Sequence, residues 1–334
     1  MSTFNKVLIG LLGLQVALAA ALWLRPSEPS IGRPKPLLED FDAAMVEELR
    51  VLAPREDGEE GDEPDLALAR HNGSWVLRSH HDYPADQSRV DEVLRKLGAM
   101  QTRGAMTTSP ARHGQLRVAD DEYERKLKLI LGEEKRTLYL GSPAGSRRVA
   151  VRLAGEDDVY AVTGISAAAV GPDPGEWIVS EVFSVPEDQV KMLTLRRDGD
   201  EEDIVLERDG ELGSGWALIG GPSSPKEPAA LDQDAIQSMM RSVVRIRAAA
   251  PADPRADMTS PLASITLTMS AREEAEEGAP IEAGEHVIVV AGGTNDRYLV
   301  RAGDTGRPVF VGKWSLRRLI ELEIDELIDE SDET

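Results

Sequence analysis

The stretch His71–Val90, HNGSWVLRSHHDYPADQSRV, gathers the side chains best suited to chemistry: three histidines, two aspartates and a tyrosine. A zinc site needs three or four such ligands converging on one point. In an extended strand, neighbouring side chains point to opposite faces, so His80 and His81 cannot serve one ion unless the strand breaks. Trp75, Leu77 and Ser79 read as one face of a strand, and Val76, Arg78 and His80 as the other. Tyr83-Pro84 ends that strand, because proline fixes φ and has no N–H to donate. Ala85-Asp86 then starts a helix. The stretch reads as a strand–turn–helix junction with polar decoration.

Other chemistry is sparser. His71, His113 and His286 stand alone, and no His-Glu-x-x-His spacing occurs. There is no Gly-x-Ser-x-Gly elbow and no Gly-x-x-x-x-Gly-Lys-Ser/Thr phosphate loop. GSGW, residues 213–216, reads as a hairpin turn. AGGTNDR, residues 291–297, lies between strands, with no helix start after it to hold a phosphate. The acidic runs Arg55–Asp65 and Ala271–Glu285 read as solvated loops and lack the ordered ligand spacing of a calcium loop. With 60 carboxylates, spacing in sequence selects no acid–base pair. No catalytic, cofactor-binding or metal-ligating residue is assigned, no cofactor is expected, and the chain reads as non-enzymatic.

Lys plus Arg is 38 against 60 Asp plus Glu, a net charge of −22. Such a surface repels nucleic acid and anionic lipid headgroups. There is no cysteine. Disulfides, thiolate metal sites and cysteine nucleophiles are therefore excluded.

The elements that must position these residues begin with Val7–Leu24, VLIGLLGLQVALAAALWL, an uncharged run close to the roughly 20 residues of a bilayer span. Residues 1–24 are expected to be a retained single-pass anchor. A cleaved signal peptide is the alternative, since VALAA holds small residues at cleavage spacing. Lys6 lies on one side and Arg25, Arg33 and Lys35 on the other, so charge alone does not orient the span. The short tail before the apolar run has the shape of a signal anchor, which places the folded part outside the cytoplasm. Residues 25–39 form a stalk, with four prolines in the twelve residues Arg25–Pro36.

The rest repeats with a period of roughly 145 residues, too long for a solenoid. Asp86-Gln87 precedes Val90, Val93, Leu94, Leu97 and Met100. Asp232-Gln233 precedes Ile236, Met239, Met240, Val243 and Ile246. Both are one stripe of an amphipathic helix behind an aspartate N-cap. A hairpin ending at a tryptophan, Trp75 or Trp216, stands before each helix. Alternating strands follow it, and each unit closes in a further helix, ISAAAV or SLRRLIELEIDELI. The expected fold class is α+β, with two tandem repeats of an antiparallel strand meander with amphipathic helices, preceded by one transmembrane helix. The expected units are residues 40–172 and 173–330.

A single N-terminal span, a Pro-rich stalk, GSWVL, the YPAD stretch with its helix, and a meander closing in DVYAV together resemble the bacterial domain of unknown function 4340 family. The resemblance covers roughly residues 40–330 in two copies. It is best at Trp75–Leu97 and Tyr139–Val162, while PSSPKEPAAL departs from RSHHDYPA in the second copy. Members are usually encoded beside ABC-type export or gliding-motility-like transporter components. The resemblance implies an accessory subunit at the bacterial cytoplasmic membrane, bound to a membrane protein complex such as an ABC-type permease. It carries over no catalytic residue.

The function expected is that of a non-enzymatic accessory or scaffold protein. The alternative is a periplasmic polysaccharide or peptidoglycan binding module, which would display Trp177 and Trp314 on one surface. Strand edges, and the terminal stripe Leu316, Leu319, Ile320, Ile324, Leu327 and Ile328, are further candidates for partner contact. Core packing is the plainer reading of the stripe.

Overall fold

The computed structural model describes residues 33–54, 64–208, 215–222, 224–227, 231–271, 283–294, 296–303 and 306–328. Two large antiparallel sheets carry the chain. The first has nine strands in the order Tyr83–Pro84, Ser74–Leu77, Leu66–His71, Glu48–Leu52, Arg125–Leu131, Glu134–Pro143, Arg148–Leu153, Val159–Thr163 and Ala105–Thr107. The second has eight, in the order Trp216–Gly220, Ile204–Arg208, Val190–Arg197, Ala263–Met269, Gly284–Thr294, Arg297–Ala302, Val309–Gly312 and Ala250–Pro251. Strand for strand, and in chain order, the second sheet follows the plan of the first from Ser74–Leu77 onward. Each plan also has a small two-stranded sheet: Lys35–Pro36 with Gln101–Thr102, and Glu181–Ser184 with Arg245–Arg247.

The α+β expectation is corrected. Strand takes 43% of the described residues and helix 21%, so antiparallel sheet dominates. Three α-helices occur among the described residues: α1 (Gln87–Gly98), α2 (Gln233–Val243) and α3 (Lys313–Ile320). The segments expected to close each unit as helices are shorter than their apolar spacing implied. ISAAAV forms only a 3₁₀ turn, Ala167–Val170, halted by Gly171 and the prolines behind it. SLRRLIELEIDELI breaks after Ile320 and resumes as a 3₁₀ turn at Ile324–Leu327, yet Leu316, Leu319 and Leu327 are still buried. The expected membrane-spanning helix and most of the stalk lie outside the described residues. Among those described, no helix is long and apolar enough to cross a membrane.

Local sequence explains the elements. Ala263–Met269 buries Ala263, Ile265, Leu267 and Met269 and leaves the residues between them half-buried, the period of two of a strand with one face on the core. Asn72 and Gly73, at φ 51° and 85°, provide the left-handed pair that a tight hairpin needs between Leu66–His71 and Ser74–Leu77. Asp86 and Asp232 cap α1 and α2 by accepting the N–H groups of Arg89 (3.2 Å) and Ala235 (2.9 Å). Each helix buries four side chains: Val90, Val93, Leu94 and Leu97 in α1, and Ile236, Met239, Met240 and Val243 in α2. Full burial of such a side chain contributes about 1.5–3 kcal/mol.

One apolar core runs through both sheets without interruption. The segment Pro174–Trp177 joins them. Trp177 is fully buried, its indole N–H donates to Gly171 O (2.9 Å), and its carbonyl accepts the N–H of Asp86 (2.7 Å) at the start of α1. Arg89 donates to Ala169 O (2.8 Å) and lies 5.5 Å from the Trp177 ring.

Candidate functional site

The fold does not bring the histidines of the first stretch to one point. The strand ends at Leu77, not at Tyr83 as the alternation predicted. Arg78–His80 is a 3₁₀ turn, His81 and Asp82 are left-handed (φ 55° and 50°), and Tyr83–Pro84 folds back as an edge strand on Val76 and Leu77. The break at His80 removes the strict strand alternation, but the two rings serve different neighbours. His80 Nδ1 lies 2.9 Å from Ser79 Oγ, which also accepts the N–H of Ala67. Burial pushes the His80 imidazole below its usual range, and His81 adds to this, against a raising effect of Asp173. His81 Nε2 lies 3.7 Å from Asp253 of the second half, and Arg307 donates to Asp82 O (3.1 Å). The stretch is a seam between the halves.

The other expected residues are scattered. His71 is exposed beside the hairpin turn, His113 lies 2.9 Å from the carbonyl of Asp157, and His286 meets the edge of Phe183 at 5.6 Å. Among the described residues, no three His, Asp or Glu converge as a metal site would require. Most of both acidic runs, and part of GSGW, lie outside the described residues. Trp177 is buried and Trp314 is 86% exposed, so they do not share a surface.

Trp314 instead marks a groove of about 450 Å³. The strand Val309–Gly312 leads into α3, and Trp314 is the second residue of that helix. Leu316 and Leu319 face the core, which leaves Trp314 outward. A Cβ on Gly312 would come within 2.7 Å of the indole Nε1, so only glycine there lets the ring lie against the backbone. The opposite wall is the segment Arg245–Ala249. Ala249 N–H donates to Phe310 O (2.7 Å), joining the two walls at one end. The chains then part, because Ala248 N–H turns the other way to Ser180 O (2.7 Å). The groove is the mouth of this opened strand pair.

Its charge is distinctive. Arg241, Arg245 and Arg247 line it, and beneath them Ile246, Ala248 and Val311 are buried in the core. No lining residue is acidic. Glu181 reaches the rim, 3.2 Å from Arg245. The start of α3 has no side-chain cap, and Trp314 and Ser315 line the groove there. The Lys313 N–H at that start donates to Asp296 O (2.9 Å). Lys313 turns away, 5.4 Å above the Tyr298 ring. Sequence reasoning missed this site. The signal was RSVVRIR, residues 241–247, three arginines within an otherwise acidic chain.

A family model described as a domain of unknown function, DUF4340, matches residues 75–264. The chain belongs to this family. The DUF4340 match opens in the strand Ser74–Leu77 of the first sheet and closes in Ala263–Met269 of the second. It takes in the seam, α1, α2 and the arginine wall of the groove, and ends before Trp314. No curated protein and no solved structure matches the chain.

Proposed function

We propose that this DUF4340 protein is a non-enzymatic accessory or scaffold subunit of an ABC-type transporter or another cell-envelope complex. In this reading Val7–Leu24 anchors it once in the bacterial cytoplasmic membrane, and two copies of the family's unit stand outside the cytoplasm on the Pro-rich stalk. The matching strand orders of the two sheets support the two-copy reading. Anchoring raises the local concentration of the folded part beside its partner, which strengthens weak contacts without adding new ones.

The observation that carries the proposal is the groove, where an exposed tryptophan stands beside three arginines. Tryptophan and arginine are the side chains most enriched at the energetic centres of protein interfaces. The polysaccharide-binding alternative keeps Trp314 as a stacking platform but loses Trp177 to the core. The test places a photo-crosslinking amino acid at position 314 of the full chain in cells, and identifies adducts by mass spectrometry. A permease adduct in stoichiometric yield is the expected result. Adducts with glycan alone overturn the accessory reading.

A further inference from the structure

We infer that the Trp314 groove holds an acidic, extended segment of the partner protein, its carboxylates on Arg241, Arg245 and Arg247 and an apolar side chain against Trp314. This rests on the accessory reading and names the partner's chemistry. Three observations converge on it.

The first is charge. Three arginines face the same groove in a chain of net charge −22, one of them, Arg245, also pairing with Glu181 at the rim. The planar guanidinium fork matches a carboxylate with two parallel hydrogen bonds. The overall negative charge does not cancel this, because fields are screened beyond about 8 Å at physiological salt. It does restrict the occupant. A nucleic acid or an anionic membrane would extend from the groove across the acidic surface around it and be repelled there. A short acidic segment touches only the local positive patch.

The second is shape. One wall is the strand Arg245–Arg247, whose far edge is taken by Glu181–Ser184; the other is the end of Val309–Gly312. They are joined at Ala249–Phe310 and then diverge, with the helical residues Arg241, Ser242, Trp314 and Ser315 completing the lining. A slot between separated strands fits an extended backbone, the mode in which a peptide is added at a sheet edge. The volume of about 450 Å³ falls within the roughly 300–1,000 Å³ typical of ligand clefts.

The third is the mixed lining. The exposed Trp314 ring offers nothing to a free anion, and the arginines offer nothing to a purely apolar chain. A segment alternating acidic and apolar residues satisfies both, since alternate side chains of an extended chain point to opposite sides.

The experiment titrates the full chain, in detergent micelles, with a fluorescein-labelled peptide of alternating Glu and Leu, read by anisotropy. Saturable binding that weakens steeply with salt is expected, with no binding of the matched Gln–Leu peptide. The double variant Arg245→Gln, Arg247→Gln and the variant Trp314→Ala should each weaken binding by about tenfold or more. These side chains are exposed, so the variants should keep the parent's melting temperature. Arg247→Glu should bind a Lys–Leu peptide better than the parent does. Equal binding of the Gln–Leu peptide would overturn the inference, as would preferential binding of chito-oligosaccharide, of phosphatidylglycerol vesicles, or of a second copy of the chain. If position 314 crosslinks to a transporter subunit in cells while the acidic peptide does not bind, the accessory reading stands and the acidic-segment inference falls. Peptide binding without any protein adduct would overturn the accessory reading, and with it the assignment of the bound segment to a partner protein.

Discussion

The side-chain amide of Gln87 clasps the backbone of Trp75 from both sides: Oε1 accepts the Trp75 N–H at 2.7 Å, and Nε2 donates to the Trp75 carbonyl at 3.0 Å. Gln233 repeats the clasp on Trp216, at 2.8 and 3.1 Å. Each glutamine follows the N-cap of its helix, and each tryptophan lies on the hairpin before it. The amide therefore fixes helix to sheet at equivalent places in both halves, from an exposed Gln87 and a half-buried Gln233. Gln87→Ala leaves both backbone groups without this partner, and should cost about 1–3 kcal/mol in urea unfolding. Gln233→Ala should cost a similar amount. Gln87→Glu should cost more than Gln87→Ala, because its carboxylate would face the carbonyls of Trp75 and Ala85 that Nε2 now serves. An unfolding midpoint for Gln87→Glu equal to the parent's would show that the clasp is incidental.

Much of this was legible in the chain. The paired Asp-Gln dipeptides marked the start of α1 and α2, because an aspartate at that position does a local job that does not depend on distant packing. The strands were legible where one face is buried and alternation is strict, as in Ala263–Met269. The dominance of sheet over helix was not. A short apolar run such as ISAAAV carries the same spacing whether it becomes a helix or a single turn, and the following Gly-Pro decides. The groove was half legible. RSVVRIR announces its charge, but its meeting with Trp314 depends on the pairing of Ala250–Pro251 with Val309 and Phe310, a contact between distant parts of the chain.

Gly175 is fixed by the join between the halves. A Cβ there would lie 2.0 Å from the carbonyl oxygen of Ala249, which is backbone and has little room to move. Gly175→Ala should cost about 1–3 kcal/mol, the usual range for forced overpacking. Gly155→Ala serves as a comparison, since nothing lies within 4 Å of the added atom and only its positive φ of 82° opposes it. Limited proteolysis should cut Gly175→Ala within the 166–178 segment faster than Gly155→Ala. Equal rates would mean that this join carries no packing constraint.

Arg152 is buried, with Nη2 on Asp120 (2.6 Å), Nε on Val118 O (2.6 Å) and its guanidinium 4.5 Å from the Tyr139 ring. The hydrogen bond from Arg152 holds the Asp120 carboxyl below its usual range. A depressed carboxylate pKa stabilises the fold above the unfolded value of roughly 3.9 and loses that contribution as pH falls through the lower folded value. Asp120 is largely exposed, so Asp120→Asn should cost under about 1 kcal/mol at pH 7 and nothing below both pKa values. Arg152→Ala should cost several times more, since it also strips a buried carbonyl and a ring of their partner. Equal costs for the two at pH 7 would refute this division.

His80 adds a dependence of the same sign in a higher pH window. Burial, and secondarily His81, hold its pKa below the unfolded value of roughly 6.5. The unfolded chain then binds more protons in the window between the two values, so stability falls as pH drops below about 6.5 and levels off beneath the folded pKa. Replacing the imidazole removes that proton linkage. The melting temperature of the parent should drop further between pH 7.5 and 5.5 than that of His80→Gln. A parallel decline in both would place the acid sensitivity elsewhere.

Trp75 and Trp177 are both almost wholly buried but differ in one bond. Trp177 Nε1 donates to Gly171 O, whereas Trp75 Nε1 is buried with no hydrogen-bond partner among the described residues. Trp75 is packed instead by its face, with the Arg70 guanidinium 4.7 Å from the ring. An unpaired buried donor carries a desolvation cost of about 1–3 kcal/mol, which a phenyl ring does not incur. Trp75→Phe thus loses volume but sheds that cost. Trp177→Phe loses similar volume and also leaves the Gly171 carbonyl unpaired. In urea unfolding, Trp177→Phe should be the more destabilising by about 1–3 kcal/mol. The reverse order would mean that packing around Trp75, not hydrogen bonding, governs the difference.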